Sequence, residues 1–178
     1  WASRVEQVER QSHRLALPRG SDCGTLPLRL SEAISEAVRQ LALRLQTTPS
    51  CLLMAAYVAS LAQVFEGSSL ALCVPAAGRS QTRFEQTVGA FLSPLLLLIP
   101  CQRHPQPAAL VGLLAKHLKE AIEHQDVAWF CGAEKPQAEA LFAFQSSPTL
   151  RLAKISPASL VPNWRPLYQG SAGLPLGL

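Results

Sequence analysis

From Ser31 onward, apolar residues recur every three to four positions: Ile34, Val38, Leu41 and Leu45 form one stripe, while Glu32, Glu36, Arg39 and Arg44 lie off it. This spacing predicts an amphipathic helix whose stripe faces a core, with Ser31 as its N-cap. Thr48 is positioned to cap a second helix, and Pro49 falls in its first turn, where a missing N–H is harmless. That helix runs through Met54, Tyr57 and Leu61 to about Phe65 and is apolar almost all round, so burial is expected. A third helix is predicted from about Pro107 to Glu123, with Leu110, Leu114, Leu118 and Ile122 on one side and Lys116, Lys119 and Glu120 on the other.

Between the helices the period changes. Ser69 to Ala77 and Ala90 to Ile99 are short apolar runs bounded by Gly, Ser and Pro, the pattern of strands covered on both faces. The polar loop Gly78 to Thr87 separates them. Thr25 to Leu30 alternates enough to predict a strand, and Leu141 to Gln145 and Leu150 to Ile155 are weaker strand signals. Ala2 to His13 reads as the tail of a helix, Leu17 to Cys23 as a loop broken by Pro18 and Gly20, and Pro157 to Leu178 is rich in Pro and Gly with little period. Helices alternating with buried strands give an α/β fold, a layered sheet with flanking helices.

Composition narrows the class. With 48% hydrophobic and 16% charged residues the chain is globular, and it is apolar enough that part of its surface is expected to meet another domain or a second copy. At 178 residues it suits one domain or half of a two-lobed enzyme. A start at Trp1 rather than Met suggests excision from something longer. The net charge of +4 is spread thinly, with no basic run, which argues against nucleic-acid binding. Five cysteines at wide spacing include no Cys-x-x-Cys pair, as expected of reduced thiols in the cytoplasm. The four histidines are scattered, so no metal site is predicted. The purely apolar run Leu95 to Ile99 is far short of the roughly 20 residues a membrane helix needs. The charged, polar stretch from Trp1 to Arg14 is no signal peptide.

No Gly-x-Ser-x-Gly elbow, phosphate-binding Gly-rich loop or His-Glu-x-x-His is present. What stands out is an ordered set of short motifs. Gly78-Arg79 follows a buried strand, Val88-Gly89-Ala90-Phe91 follows the polar loop, His124-Gln125-Asp126-Val127 follows the third helix, and Leu141-Phe142 precedes Gln145. In order and spacing they resemble late motifs of the condensation domains of nonribosomal peptide synthetases. The resemblance implies a chloramphenicol acetyltransferase-like lobe, the C-terminal one of two, spanning residues 1–178. The lobe carrying the His-His-x-x-x-Asp-Gly motif, and with it the expected catalytic histidine, is absent.

The chain departs from that family at Ser93-Pro94, where Asn-Thr is usual, and at Ala128-Trp129-Phe130, where Pro-Phe-Glu is usual; the arginine expected later in the Val-Gly strand is missing. The resemblance implies a truncated or modified condensation domain acting on aminoacyl or peptidyl thioesters, with dehydration or another elimination as a chemistry open to modified members. The alternatives are a non-catalytic module docking carrier or synthetase domains, and half of an ordinary amide-forming domain. No cofactor is expected to bind directly; the phosphopantetheine arm would come from a peptidyl carrier protein. Neighbouring synthetase domains are the other expected partners, and self-association is a further one. The candidate catalytic residues are Ser93, His124 and Arg79, and Cys73 and Val74 are candidates for the substrate tunnel. Each has a structural alternative: Ser93 as a strand-end cap, His124 as a helix C-terminal cap, Arg79 as a loop organiser and Cys73 as a small core hydrophobe.

Overall fold

In the computed structural model the described residues are 24, 26–65, 67–78, 82–84, 86–89, 91–102, 104–125, 138–144 and 176–177. Arg79, the helix expected over 2–13, the loop over 17–23 and the strand expected over 150–155 lie outside them.

Helix α1 (Glu32–Arg44) starts where Ser31 Oγ accepts the Ile34 N–H at 3.3 Å, with Glu32 in the first turn and Arg44 in the last, both on the favourable side of the helix dipole. It ends in a Schellman arrangement: Thr47 N–H donates to Ala42 O at 2.9 Å and Gln46 N–H to Leu43 O at 3.2 Å. Gln46 takes the left-handed conformation, φ 50°, that this motif demands.

Thr48 then caps α2 (Pro49–Val64), its Oγ1 accepting the Cys51 N–H at 3.2 Å. The two helices meet at 105°. Helix α2 is the central core helix, burying Cys51, Met54, Ala55, Val58, Leu61 and Ala62, as its all-round apolar character predicts.

Strand β1 (Ser69–Ala76) pairs antiparallel with β2 (Ser93–Pro100), from Ser69 opposite Pro100 to Ala76 opposite Ser93. On its other edge β1 pairs in parallel with β3 (Ala140–Leu141), which pairs in parallel with β4 (Leu176–Gly177), giving the order β2-β1-β3-β4. Pro75 and Pro94 face each other in the register. The peptides of Ala71 and Cys73 are turned toward β3, so by alternation Pro75 is too, and neither proline interrupts the β1–β2 ladder. Helix α3 (Pro107–Glu123) packs on the same face as α2, burying Leu110, Val111, Leu114 and Ala121.

One sheet face, Leu70, Leu72, Leu95, Leu97 and Ile99, joins α2 and α3 in the main core, and Ala71, Cys73 and Leu96 form a smaller cluster on the opposite face. The expected α/β fold is therefore present as a small sheet flanked by helices. Two expectations are corrected. Residues 26–30 form no strand, because alternation alone supplies no pairing partner. The apolar stripe of α1 does not face the core: only Ala42 is buried, while Ile34, Leu41 and Leu45 stay exposed. The helix turns the Val38–Ala42 flank inward, with Val38 half-buried and Ala42 buried. The later strand signal at 141–145 shrinks to Ala140–Leu141, with Phe142 N–H still bonded to Cys73 O at 2.9 Å.

Candidate functional site

The motif residues gather at one end of the sheet. Strand β1 ends at Ala76, and two residues on Gly78 turns the chain with φ 63°. Phe91 O lies so close that a Cβ on Gly78 would sit 1.6 Å from it, so only glycine fits this turn. Phe84 and Phe91 stack at 5.6 Å between ring centres, closing the loop between Gly78 and β2.

Ser93 is the first residue of β2. Its Oγ donates to the Gln125 carbonyl at 3.1 Å, joining the start of the strand to the segment after α3. Alternation along the ladder puts Ser93, Ala76 and Val74 on the helix-packed face, the side from which the end of α3 is reached.

His124 is the C-cap of α3. Its N–H bonds Ala121 O at 3.2 Å, and its ring Nδ1 lies 2.8 Å from Glu120 O on an exposed surface. A carbonyl can only accept, so Nδ1 carries the proton and, in the neutral ring, Nε2 holds the lone pair. Ser93 and His124 are thus brought together through Gln125, with both polar groups engaged by backbone carbonyls. Arg79 and Asp126 lie outside the described residues.

Cys73 and Val74, adjacent in β1, point to opposite faces. Cys73 is buried against Ala71 and Leu96, and burial pushes its thiol up, away from the reactive thiolate. Val74 is half-buried against the main core. The two side chains therefore cannot line the same wall of one channel.

Sequence reasoning missed Glu139. It is buried, its Oε2 accepts the Ala71 N–H at 2.6 Å, and its own N–H donates to Ala71 O at 2.9 Å. Oε1 makes no hydrogen bond. Burial raises its pKa, opposed by the Ala71 and Glu139 amides. The half-buried thiol of Cys101 is also raised, first by burial and then by the charge of Glu139. The only sequence signal was a lone acid before the apolar run at 140–144. Among the described residues no group of three or more His, Cys, Asp and Glu side chains could hold a metal ion, and no single helix is long and apolar enough to cross a membrane.

This α/β arrangement is that of condensation domains among solved structures. The four-domain nonribosomal peptide synthetase AB3403 matches 96% of this chain with a TM-score of 0.72 at 19% identity, the match covering 15% of that protein. The condensation domain of the Monacolin K polyketide synthase MokA matches 79% with a TM-score of 0.59 at 16% identity, over 40% of its length. The X-domain from teicoplanin biosynthesis matches 79% with a TM-score of 0.62 at 15% identity, over 36% of its length. The chain thus spans well under half of each of these. No curated protein matches it by sequence. The profile of the family described as condensation domain matches residues 1–129, and the chain belongs to that family.

Proposed function

We propose that this chain is the C-terminal, chloramphenicol acetyltransferase-like lobe of a condensation domain, forming one wall of the channel for carrier-protein-tethered aminoacyl or peptidyl thioesters, while the catalytic histidine belongs to the other lobe. The observation that carries this reading is the bond from Ser93 Oγ to Gln125 O. It commits the hydroxyl proton to fixing His124-Gln125, at the end of α3, against β2, a positioning task rather than attack or proton transfer. The contact of His124 Nδ1 with Glu120 O has the same character. The sequence holds no His-His-x-x-x-Asp-Gly motif. A phosphopantetheine arm, supplied by a peptidyl carrier protein, would present the thioester. Dehydration by this chain alone has no specific observation in its favour, since it needs both a base and an acid beside the substrate.

Intact mass spectrometry of aminoacyl-loaded carrier proteins tests the reading. The chain alone is expected to leave carrier masses unchanged, and amide formation is expected only when a lobe with the His-His motif is present. Loss of one water from a hydroxylated aminoacyl carrier with this chain alone would overturn it.

A further inference from the structure

Among the described residues two buried side-chain polar atoms lack a hydrogen bond, Glu139 Oε1 and the Tyr57 hydroxyl oxygen. Both belong to one strand. Glu139 directly precedes β3, and the Tyr57 ring lies 6.1 Å, centre to centre, from that of Phe142, which directly follows it. Buried polar groups are almost always paired, so two orphans at one strand mark the place where this fold is least satisfied.

That strand is also weakly attached. It matches β1 at two residues, Ala140 opposite Leu72 and Leu141 opposite Cys73, and β4 matches it at two more, whereas the β1–β2 register runs the full length of both strands. At its start a side chain closes the ladder: the Ala71 N–H donates to Glu139 Oε2 rather than to a backbone carbonyl, and the Glu139 N–H donates back to Ala71 O. Glu139 therefore holds the edge where backbone pairing gives out.

Nothing beside it offsets a charge. Glu139 is 4% exposed. Strands β1, β2 and β4 and helix α2 contain no Asp, Glu, Lys, Arg or His. Their titratable side chains are Cys73 on β1 and Cys51 and Tyr57 on α2, and just past β2 stands Cys101, whose thiol the Glu139 charge helps to raise. Lys116 and Lys119 are exposed on α3, which packs on α2 and β2. The neutral acid suits such a site and the carboxylate suits water.

We propose that Glu139 is a proton-operated clasp on the sheet edge: the neutral acid holds β3, and β4 beyond it, to β1, and ionisation lets this edge open while the β1–β2 ladder and the helices stay closed. Opening moves Glu139 into water, where its ordinary value of 4.5 applies. Between 4.5 and the raised value of the closed edge, opening releases one proton, so the open fraction climbs with pH in that window and levels off above it. Water that enters also reaches Oε1 and the Tyr57 hydroxyl and satisfies both.

Amide exchange followed by NMR from about pH 4 to about pH 8, each rate divided by that of an unstructured amide at the same pH, tests the clasp. In the wild type the protection of the Ala71, Cys73 and Phe142 N–H groups is expected to fall about tenfold or more across the range, while that of Leu72, Val74, Leu95 and Leu97 in the β1–β2 ladder holds level. Glu139→Gln, which keeps an acceptor for Ala71 and cannot ionise, is expected to hold all seven level. Level protection at the three edge amides of the wild type, or the same fall in Glu139→Gln, would overturn the proposal. So would an equal fall at Leu72 and Leu97, which would make the event unfolding of the whole chain.

Discussion

Glu139 engages both backbone groups of Ala71: the Ala71 N–H donates to the Glu139 carboxylate at 2.6 Å, and the Glu139 N–H donates to Ala71 O at 2.9 Å. The carboxylate thereby serves as a ladder acceptor where the short strand β3 begins, although Oε1 is left buried without a partner. Burial raises the carboxyl's pKa from its ordinary 4.5. Above 4.5, and below the folded value, the folded chain keeps a proton that the unfolded chain has lost. The contribution of Glu139 to stability is therefore greatest below about pH 4.5 and falls as pH rises through the folded value. Glu139→Gln keeps an acceptor for Ala71 and removes the charge. Relative to wild type it is expected to gain on the order of 1 kcal/mol at neutral pH and nothing at pH 4, whereas Glu139→Ala, leaving the Ala71 N–H unpaired, should lose about 1–3 kcal/mol. Denaturant unfolding across that pH range checks both.

Gly78 offers a harsher test. A methyl group there would overlap Phe91 O, and the positive φ adds strain of its own. Gly78→Ala is expected to cost about 3 kcal/mol or more and to free the start of β2. Thermal unfolding should show the loss, and faster amide exchange confined to 91–95 should locate it. An unchanged melting temperature would mean that the turn is not held as described.

Gln46 predicts the opposite sign. It occupies the left-handed position of the α1 C-terminus, with the Thr47 and Gln46 N–H groups bonded back into the helix. Glycine carries no Cβ strain there, so Gln46→Gly is expected to stabilise by roughly 0.5–1 kcal/mol, partly offset by the greater freedom of glycine when unfolded. A midpoint shift in urea with unchanged slope would be the signature.

The limits of α2 and α3 were readable because local chemistry sets them: Thr48 with Pro49, and Pro107, act within a few residues of themselves. The β1 and β2 runs were readable because a strand buried on both faces needs no polar alternation. What escaped depends on distant partners. Whether residues 26–30 pair, and which flank of α1 turns inward, is decided by what packs there, and a stripe of Ile34, Leu41 and Leu45 looks alike whether it meets this chain's core or another surface. Glu139 was invisible for the same reason, since its acceptor role depends on a residue 68 positions away. The opposite orientations of Cys73 and Val74 follow from the strand period of two, which naming both as tunnel candidates left unused. The end of α3 was readable as a motif, but only geometry separates its holding role from a chemical one.

That separation can be measured at Ser93 and His124. If the hydroxyl works through its bond to Gln125 O, Ser93→Ala should cost about 1 kcal/mol and speed amide exchange at His124 and Gln125, and Ser93→Thr, which keeps the hydroxyl, should restore both. His124→Ala removes an exposed ring contact to Glu120 O and should cost less, roughly 0.5 kcal/mol. In an assembled condensation enzyme the two alanine variants are expected to slow amide formation less than tenfold, with the deficit in KM for the carrier substrate rather than in kcat. A group that transfers the proton in the transition state typically contributes about 10²–10⁴-fold. A loss of that size in kcat for His124→Ala, with exchange at the end of α3 unchanged, would return His124 to the chemistry and overturn the positioning assignment.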